Sequence, residues 1–430
     1  MLKDRGPQDY GKLNSPRIQM ETSYTADSDC FGFPSHESGG RSDPTHAEIS
    51  PFSANSDSSH EAYLPFKATF LMAIGCNLQC RYCYVAPGPD CHLEFKYAKA
   101  AVNFLIENAR VRNKDRIVIH FHGAGEPTLN WDNLVRIWDY ASEETTKFHI
   151  RLLTHLTTNG VISPAQRKWI GKNIARITIS CDGFEDVHNA LRPSRTLNSF
   201  REAFESLRSF SKNGKVVGIH TTVTGTNVTI MPEWVTYLGS LGVNYVDLEP
   251  VTITPRSSEM GLAEPNSKDF IRYFLESKMA AKASSISVRY SGIKPRTARQ
   301  YYCGGYGTNF VLGPKGSIST CYEIFTDCVP KHESPFLIGH IDGDVPYIDH
   351  NRIKELREIA LRRRQDCGRC FARHHCGGGC LLRRLEPLDK PSRQSHERKC
   401  TITRGILAKY LGEAARPQML FRQNSLENGL

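Results

Sequence analysis

The chain has 430 residues, enough for two or three domains, and its 39% hydrophobic and 23% charged residues are ordinary for a globular protein. No apolar run approaches the roughly 18 residues that span a bilayer. The opening Met1-Leu2-Lys3-Asp4-Arg5-Gly6-Pro7 lacks the apolar core of a signal peptide. These features argue against a membrane protein, and a cytoplasmic location is expected.

The net charge of +10 is concentrated: residues 352–404 hold 15 Lys/Arg against 6 Asp/Glu, a local excess of +9. Such a segment suits nucleic acid, an acidic peptide, or a solvated face that offsets thiolate charge. No base-stacking aromatic motif of the RNA-binding kind accompanies it, so nucleic acid is not an expected partner. The 14 cysteines point to metal ligation rather than a disulfide framework, because they cluster locally.

Residues 1–62 are rich in Ser, Pro, Gly and Asp and read as a disordered arm, with Cys30 incidental in it. From 63 to 284, short apolar strands alternate with helical stretches. The strand spans are 69–73, 116–121, 150–157, 176–181, 216–223 and 245–250. Helices are read at 131–142, 165–173, 199–210, 232–241 and 268–282. The clearest is 199–210, where Phe200, Ala203, Phe204, Leu207 and Phe210 form one apolar face. Six βα units in series imply an α/β fold whose parallel sheet curves towards a barrel, with its site at the carboxyl ends of the strands. From 285 to 410 the alternation stops. Cysteines, glycines and hairpin-like pieces such as 310–316 follow, with too little apolar content for a separate core, so bound metal would have to staple the region. Residues 411–430 read as a polar tail.

The first strand runs into Gly75-Cys76-Asn77-Leu78-Gln79-Cys80-Arg81-Tyr82-Cys83-Tyr84. Three thiolates within eight residues can hold three irons of a cubane and leave the fourth open for chemistry. A zinc knuckle would ordinarily pair cysteines as C-x2-C and close with four ligands. The second strand runs into His120-Phe121-His122-Gly123-Ala124-Gly125-Glu126-Pro127, where the glycines allow close backbone approach and Glu126 offers a carboxylate. His120 and His122 share one strand face and read as site lining rather than metal ligands. The third strand ends in Thr157-Thr158-Asn159-Gly160, and the fourth in Ser180-Cys181-Asp182-Gly183, followed by His188 and Arg192. Turn and N-cap roles explain each of these polar tips singly, but not their recurrence strand after strand.

With these residues in view, the chain resembles the radical SAM enzymes. Their C-x3-C-x2-C signature, with an aromatic before the last cysteine, is supplied by Cys76, Cys80, Tyr82 and Cys83. Their "GGEP" motif stands here as Gly123-Ala124-Gly125-Glu126-Pro127, interrupted by Ala124. The resemblance implies a partial (β/α)6 radical SAM barrel. It further implies a [4Fe–4S] cluster on Cys76, Cys80 and Cys83, with S-adenosylmethionine (SAM) held around Tyr82, Gly123, Gly125, Glu126, Asn159, Ser180, Asp182 and Arg192. Cys76, Cys80, Cys83 and Glu126 then form the catalytic set.

The later cysteines resemble the SPASM extension. Cys303, Gly316 and Cys321 fit its opening, and Cys367, Cys370, Cys376, Cys380 and Cys400 fit the rest. Two auxiliary clusters are implied, one on Cys367, Cys370, Cys376 and Cys400, the other on Cys303, Cys321 and Cys380. The further cysteine that many relatives carry just before the first of these is missing from 295–300. This leaves an open iron, a non-cysteine ligand or Cys328 as the completion. Cys91, Cys181 and Cys328 otherwise read as small buried apolar residues.

The implied activity is reductive cleavage of SAM to a 5′-deoxyadenosyl radical that modifies a peptide, by a thioether or carbon–carbon crosslink. An acidic leader is an expected partner on the Arg-rich segment, with a flavodoxin or ferredoxin as electron donor. Two other readings stand beside it: an anaerobic sulfatase maturase forming formylglycine, and a non-catalytic iron–sulfur carrier or RNA-binding module. Sulfatase maturases commonly place an acidic residue directly after the cysteine matched by Cys321, where this chain has Tyr322 and then Glu323.

Overall fold

Alternating apolar residues, bounded by Gly, Asn and Pro, fold into strands β1 (Lys67–Leu71), β2 (Arg116–His122), β3 (Arg151–Thr158), β4 (Arg176–Ser180), β5 (Val216–Val223) and β6 (Tyr245–Pro250). Each lies within two residues of its span in the sequence reading. The structure is a computed structural model and describes residues 62–85, 90–327 and 334–427, with side chains through residue 412. The expected arm at 1–62 therefore lies outside the described residues save for its last position, as do Cys30 and Cys328.

The six strands pair in parallel and in chain order. Helices α1 (Phe95–Val111), α2 (Trp131–Lys147), α3 (Pro164–Asn173), α4 (Glu185–Leu191), α5 (Ser199–Lys212), α6 (Met231–Ser240), α7 (Pro255–Glu259) and α8 (Ser267–Ala280) fill the connections. Local chemistry sets several starts. Ser163 and Gln166 form a capping box in front of α3, and Asn198 caps α5 through the Arg201 N–H. The apolar stripe of α5 is buried as expected, through Ala203, Phe204, Leu207 and Phe210. The α/β class and the partial barrel are as the sequence implies.

Helix α1 was not among the expected helices. Its buried Ala98, Ala100, Ala101, Val102, Leu105, Ile106 and Ala109 spread around more than one face. The reason is packing: α1 touches β1, β2, α2 and three strands from the C-terminal part of the chain, so it shows no single stripe.

The sheet does not end at six strands. A three-residue β7 (Ser287–Arg289) pairs in parallel with β6, and β8 (Val311–Leu312) pairs in parallel with β1. Strands β9 (Ser317–Ser319), β10 (Leu337–Asp342) and β11 (Val345–Ile348) continue antiparallel from β8. The full order is β11-β10-β9-β8-β1-β2-β3-β4-β5-β6-β7. Helices α9 (His350–Gln365), α10 (Arg373–Cys376), α11 (Leu381–Leu385) and α12 (Pro391–Glu427) complete the chain, so residues 411–427, read as a tail, continue α12. Phe310, Leu312, Ile318, Ile338, Ile353, Ile402 and Ile406 pack in the same cluster as Phe70, Phe121 and Ile177. The region after 285 thus borrows the barrel's core, which corrects the expectation that metal alone would staple it. Among the described residues, no helix is long and apolar enough to cross a membrane.

The two faces of the parallel sheet differ in kind. Phe121, Leu156, Ile179, Ile219 and Leu248 point to the helices and are buried. On the other face stand His120, His122, His155, Thr157, Thr178, Ser180, His220, Thr222, Asp247 and Glu249, mostly half-buried. Because the shared core joins barrel and C-terminal strands, Leu312→Ala should destabilise both together, by about 2–5 kcal/mol in a single denaturant transition. Two separate transitions would show independent domains.

Candidate active site

The site forms where β1 and β2 hand over to loops. Gly125 N–H donates to Ala73 O at 2.8 Å, and Glu126 N–H donates to Gly75 O at 3.0 Å. This lays the Gly123–Glu126 turn directly against the segment entering Cys76. A Cβ on Gly125 would stand 1.9 Å from Gly75 O, and one on Gly123 would stand 2.0 Å from Gly125 O. The intervening Ala124 meets no such conflict; it is buried with Leu71, Ile74 and Val311. The interrupted glycine pair therefore keeps glycine at both positions of close approach.

Glu126 is 2% exposed. Its Oε1 accepts from Thr128 N (3.2 Å), Thr128 Oγ1 (2.8 Å) and Thr158 Oγ1 (2.7 Å), and its Oε2 accepts from Asn159 N (2.8 Å). Burial pushes its carboxyl above the usual range, against the pull of these donors. Asn159 carries the link onward. Its Nδ2 donates to Asn77 Oδ1 at 2.7 Å and lies 3.7 Å from Cys76 Sγ.

On the far side, Gln79 N–H and Arg81 N–H donate to the carbonyls of Pro193 and Leu191, at 2.9 and 3.0 Å. Between them sits a buried ion pair. Arg192 donates Nε and Nη2 to Asp182 Oδ2 and Oδ1, at 2.8 and 3.1 Å, and its Nη1 lies 3.9 Å from Cys80 Sγ. Asp182 also accepts from the Tyr82 hydroxyl and from Thr222 N (2.9 Å). Burial alone would raise the Asp182 carboxyl, but the Arg192 guanidinium holds it below its ordinary value. The four donors take up both carboxylate oxygens. Asp182, expected to contact SAM, holds Tyr82 and Arg192 in place. Ser180 ends β4 opposite His220, and its hydroxyl makes no hydrogen bond among the described residues.

Burial raises the Cys76 thiol to about 11 and the Cys80 thiol to about 12. Both would be thiols at neutral pH without a cationic partner, so binding a metal group here must release protons. Among the described residues, no three His, Cys, Asp or Glu side chains close tightly enough to hold a single metal ion. A donor set for a polynuclear cluster stands wider, since each thiolate takes a different iron.

The donor chemistry fits such a group at three places. Leu78 N donates to Cys76 Sγ (3.4 Å), Gly305 N to Cys303 Sγ (3.4 Å) and Gly378 N to Cys376 Sγ (3.3 Å). The same i+2 N–H to sulfur contact thus recurs in each implied cysteine set, and such bonds tune iron–sulfur potentials. Cys376 feels the thiols of Cys367 and Cys370, and Cys400 feels those of Cys376 and Cys367, all pushing upwards after burial. Cys321 is raised by burial, then by Glu323 and Cys380. Cys367, Cys370, Cys376 and Cys400 thus influence one another, as do Cys321 and Cys380.

Three expectations change. Cys91 is buried and disulfide-bonded rather than a free apolar thiol, whereas eleven other described cysteines are free. A lone cysteine's spatial neighbour is not written in its local sequence. Arg383 and Arg384, counted in the basic segment, are turned inward: Arg383 pairs with Glu323 and Glu386, and Arg384 with Asp366 (2.8 Å) and Cys367 Sγ (3.4 Å). Arg362, Arg363 and Arg369 stay exposed. The site also recruits residues that sequence reasoning left out, including His155 and His220 on the polar face. Glu249 at the tip of β6 accepts from Ser291 N (2.6 Å) and Oγ (2.8 Å). Polar residues at every second position of β3, β5 and β6 were the available signal.

Residues 71–238 match the radical SAM superfamily. The chain thus carries a radical SAM domain, and the Cys76–Cys83 loop falls inside it. Solved structures of anSMEcpe and Streptococcus suis SuiB share its fold. The chain superimposes on anSMEcpe with bound AdoMet at a TM-score of 0.63 and 18% identity, covering 81% of this chain and 96% of that one. On Streptococcus suis SuiB bound to S-adenosylmethionine the values are 0.54 and 15%, over 77% and 76%. Among curated sequences, an uncharacterised protein of Methanocaldococcus jannaschii is 27% identical over 65% of this chain and 87% of its own length. The cysteine-type anaerobic sulfatase-maturating enzyme of Clostridium perfringens is 20% identical over 71% and 86%.

Two outcomes follow from the geometry. Gly125→Ala should cost at least about 3 kcal/mol by thermal denaturation, since a backbone carbonyl cannot step aside, whereas Ala124→Gly should cost about 1 kcal/mol. Burial raises the Glu249 carboxyl to about 7 from its ordinary 4.5, against the pull of Lys399. Folding then favours the protonated acid, so the wild type should lose stability as pH rises from 4.5 to about 7 and level off above it. Glu249→Gln should show no such fall, and thermal melts across that range read the difference.

Proposed function

We propose that this radical SAM superfamily protein is an enzyme that modifies a peptide or protein substrate. One observation carries the reading: a three-cysteine loop, a glycine turn stitched to it, Asn159 and the buried Asp182–Arg192 pair all meet at the carboxyl ends of β1 to β4. Cys76, Cys80 and Cys83 would hold a [4Fe–4S] cluster, with SAM seated between Gly123–Glu126, Asn159, Ser180 and Arg192. When bound, this pair supplies a 5′-deoxyadenosyl radical able to take a hydrogen atom from the substrate.

The chain's own residues do the holding. Glu126 fixes the β2 turn and the tip of β3, and Arg192 sets its charge beside the Cys80 thiol. The polar face of the sheet, from His122 to Glu249, offers hydrogen-bonding groups to a substrate backbone, and Tyr322 packs on His122 at 5.4 Å between ring centres. The cysteine sets of the C-terminal part would hold two auxiliary clusters, suited to accept an electron as product forms. A flavodoxin or ferredoxin is the proposed electron donor.

A peptide substrate is supported by the neighbours of like fold. anSMEcpe was crystallised with the Kp18Cys peptide and SuiB with the precursor peptide SuiA. An acidic leader would meet Arg362, Arg363 and Arg369, since Arg383 and Arg384 are occupied internally. Formylglycine formation is the second reading, favoured by the likeness to the Clostridium perfringens enzyme. Against it, Tyr322 takes the place directly after Cys321.

Reduced, iron-loaded protein given SAM should release 5′-deoxyadenosine, measured by chromatography, and Cys76→Ala should reduce the release to background. Unchanged release from Cys76→Ala would overturn the catalytic reading.

A further inference from the structure

The set of Cys303, Cys321 and Cys380 is one ligand short of a fully coordinated cubane. The turn that carries its middle cysteine brings a carboxylate to the same place. Ile324 N donates to Cys321 O at 3.0 Å, which closes a tight turn with Tyr322 and Glu323 at its centre. Tyr322 stacks on His122 of β2, towards the barrel. Glu323 turns instead to α11, where its Oε2 accepts from Arg383, three residues beyond Cys380. That contact links the Cys321 turn to the Cys380 turn, and Cys321, Leu381 and Leu382 pack against the same cluster of Ile324, Phe336 and Leu356.

The other carboxylate oxygen, Glu323 Oε1, takes no donor among the described residues. Arg383 keeps a second partner in Glu386 at 2.9 Å, so Glu323 can share its charge without leaving the guanidinium alone.

We propose that Glu323 is the fourth, non-cysteine ligand of the auxiliary cluster on Cys303, Cys321 and Cys380, binding iron through Oε1 while Oε2 stays on Arg383. This rests on the reading that those three cysteines hold a cluster. Three thiolates and one carboxylate carry the same ligand charge as four thiolates, so the cluster would keep the net charge of an all-cysteine one. Such a cluster is closed: it would exchange electrons with the substrate rather than bind it.

The test needs no substrate. In full-length protein with Cys76, Cys80 and Cys83 all changed to Ala, the two auxiliary sets are reconstituted with iron and sulfide under anaerobic conditions, to about eight irons per chain. Carbon-13 cyanide is then added, and carbon coupling to the reduced clusters is read by electron–nuclear double resonance. The parent should show no coupling and should resist loss of iron on mild ferricyanide oxidation. Glu323→Gln should bind cyanide and lose about one iron on oxidation, giving the signal of a three-iron cluster, and Glu323→Cys should restore the parent behaviour.

Cyanide coupling already present in the parent would overturn the proposal, and that measurement does not depend on any Glu323 variant folding. So would an opened iron in Cys328→Ser with none in Glu323→Gln. An iron content near four in the parent would instead overturn the underlying cluster assignment.

Discussion

A carboxylate and a guanidinium withdrawn from water, Asp182 and Arg192, hold the site together. The pair joins four pieces of chain: the tip of β4, the β5 strand through Thr222 N, the end of α4, and the cysteine loop through Tyr82 and Cys80. A buried ion pair is weak evidence of stability in itself, since desolvation consumes much of its attraction. Its value here is geometric. With both oxygens of Asp182 satisfied, Arg192 and Tyr82 have one low-energy arrangement, and the cysteine loop inherits it. Losing either partner would leave a bare charge in the interior, a change that costs about 3–5 kcal/mol in comparable sites.

The second constraint is the difference between the two faces of one sheet. Apolar residues at alternate positions seal one face against helices, so the opposite face is free of the duty of forming a core. It can carry histidines, threonines and carboxylates at half-buried positions without an apolar penalty. Burial still acts on them: His122 is held down to about 4 and His155 to about 3. Near neutral pH these imidazoles are uncharged and able both to donate and to accept hydrogen bonds. The imidazoles therefore make this wall polar without adding positive charge to it.

Much of this was legible in the sequence, and the reasons for success and failure are physical. The strands β1 to β6 were readable because local alternation and turn residues determine them. The site was readable because its parts sit at the ends of those strands, with spacing that is itself chemistry. What failed was everything decided by distant partners. Strand β8 is two residues long and forms between β9 and the distant β1. Helix α1 looked unpatterned because it packs on several sides. Arg383 and Arg384 look like surface charge in a count, yet each meets a carboxylate brought from elsewhere in the fold. Nor does any local pattern show that Asp182 meets Tyr82, 100 residues away.

The pairing of β1 with β8 has a consequence for how the molecule is made. Thr69 lies beside Val311, so the strand leading into the cysteine loop cannot complete its hydrogen bonding until more than half of the chain has been synthesised. Until then β1 is an exposed edge, apolar on one face, of the kind that invites pairing with other chains. A chaperone held at that edge would protect growing chains from this. Insoluble protein recovered from fast expression would then reflect the order of assembly rather than weakness of the finished fold.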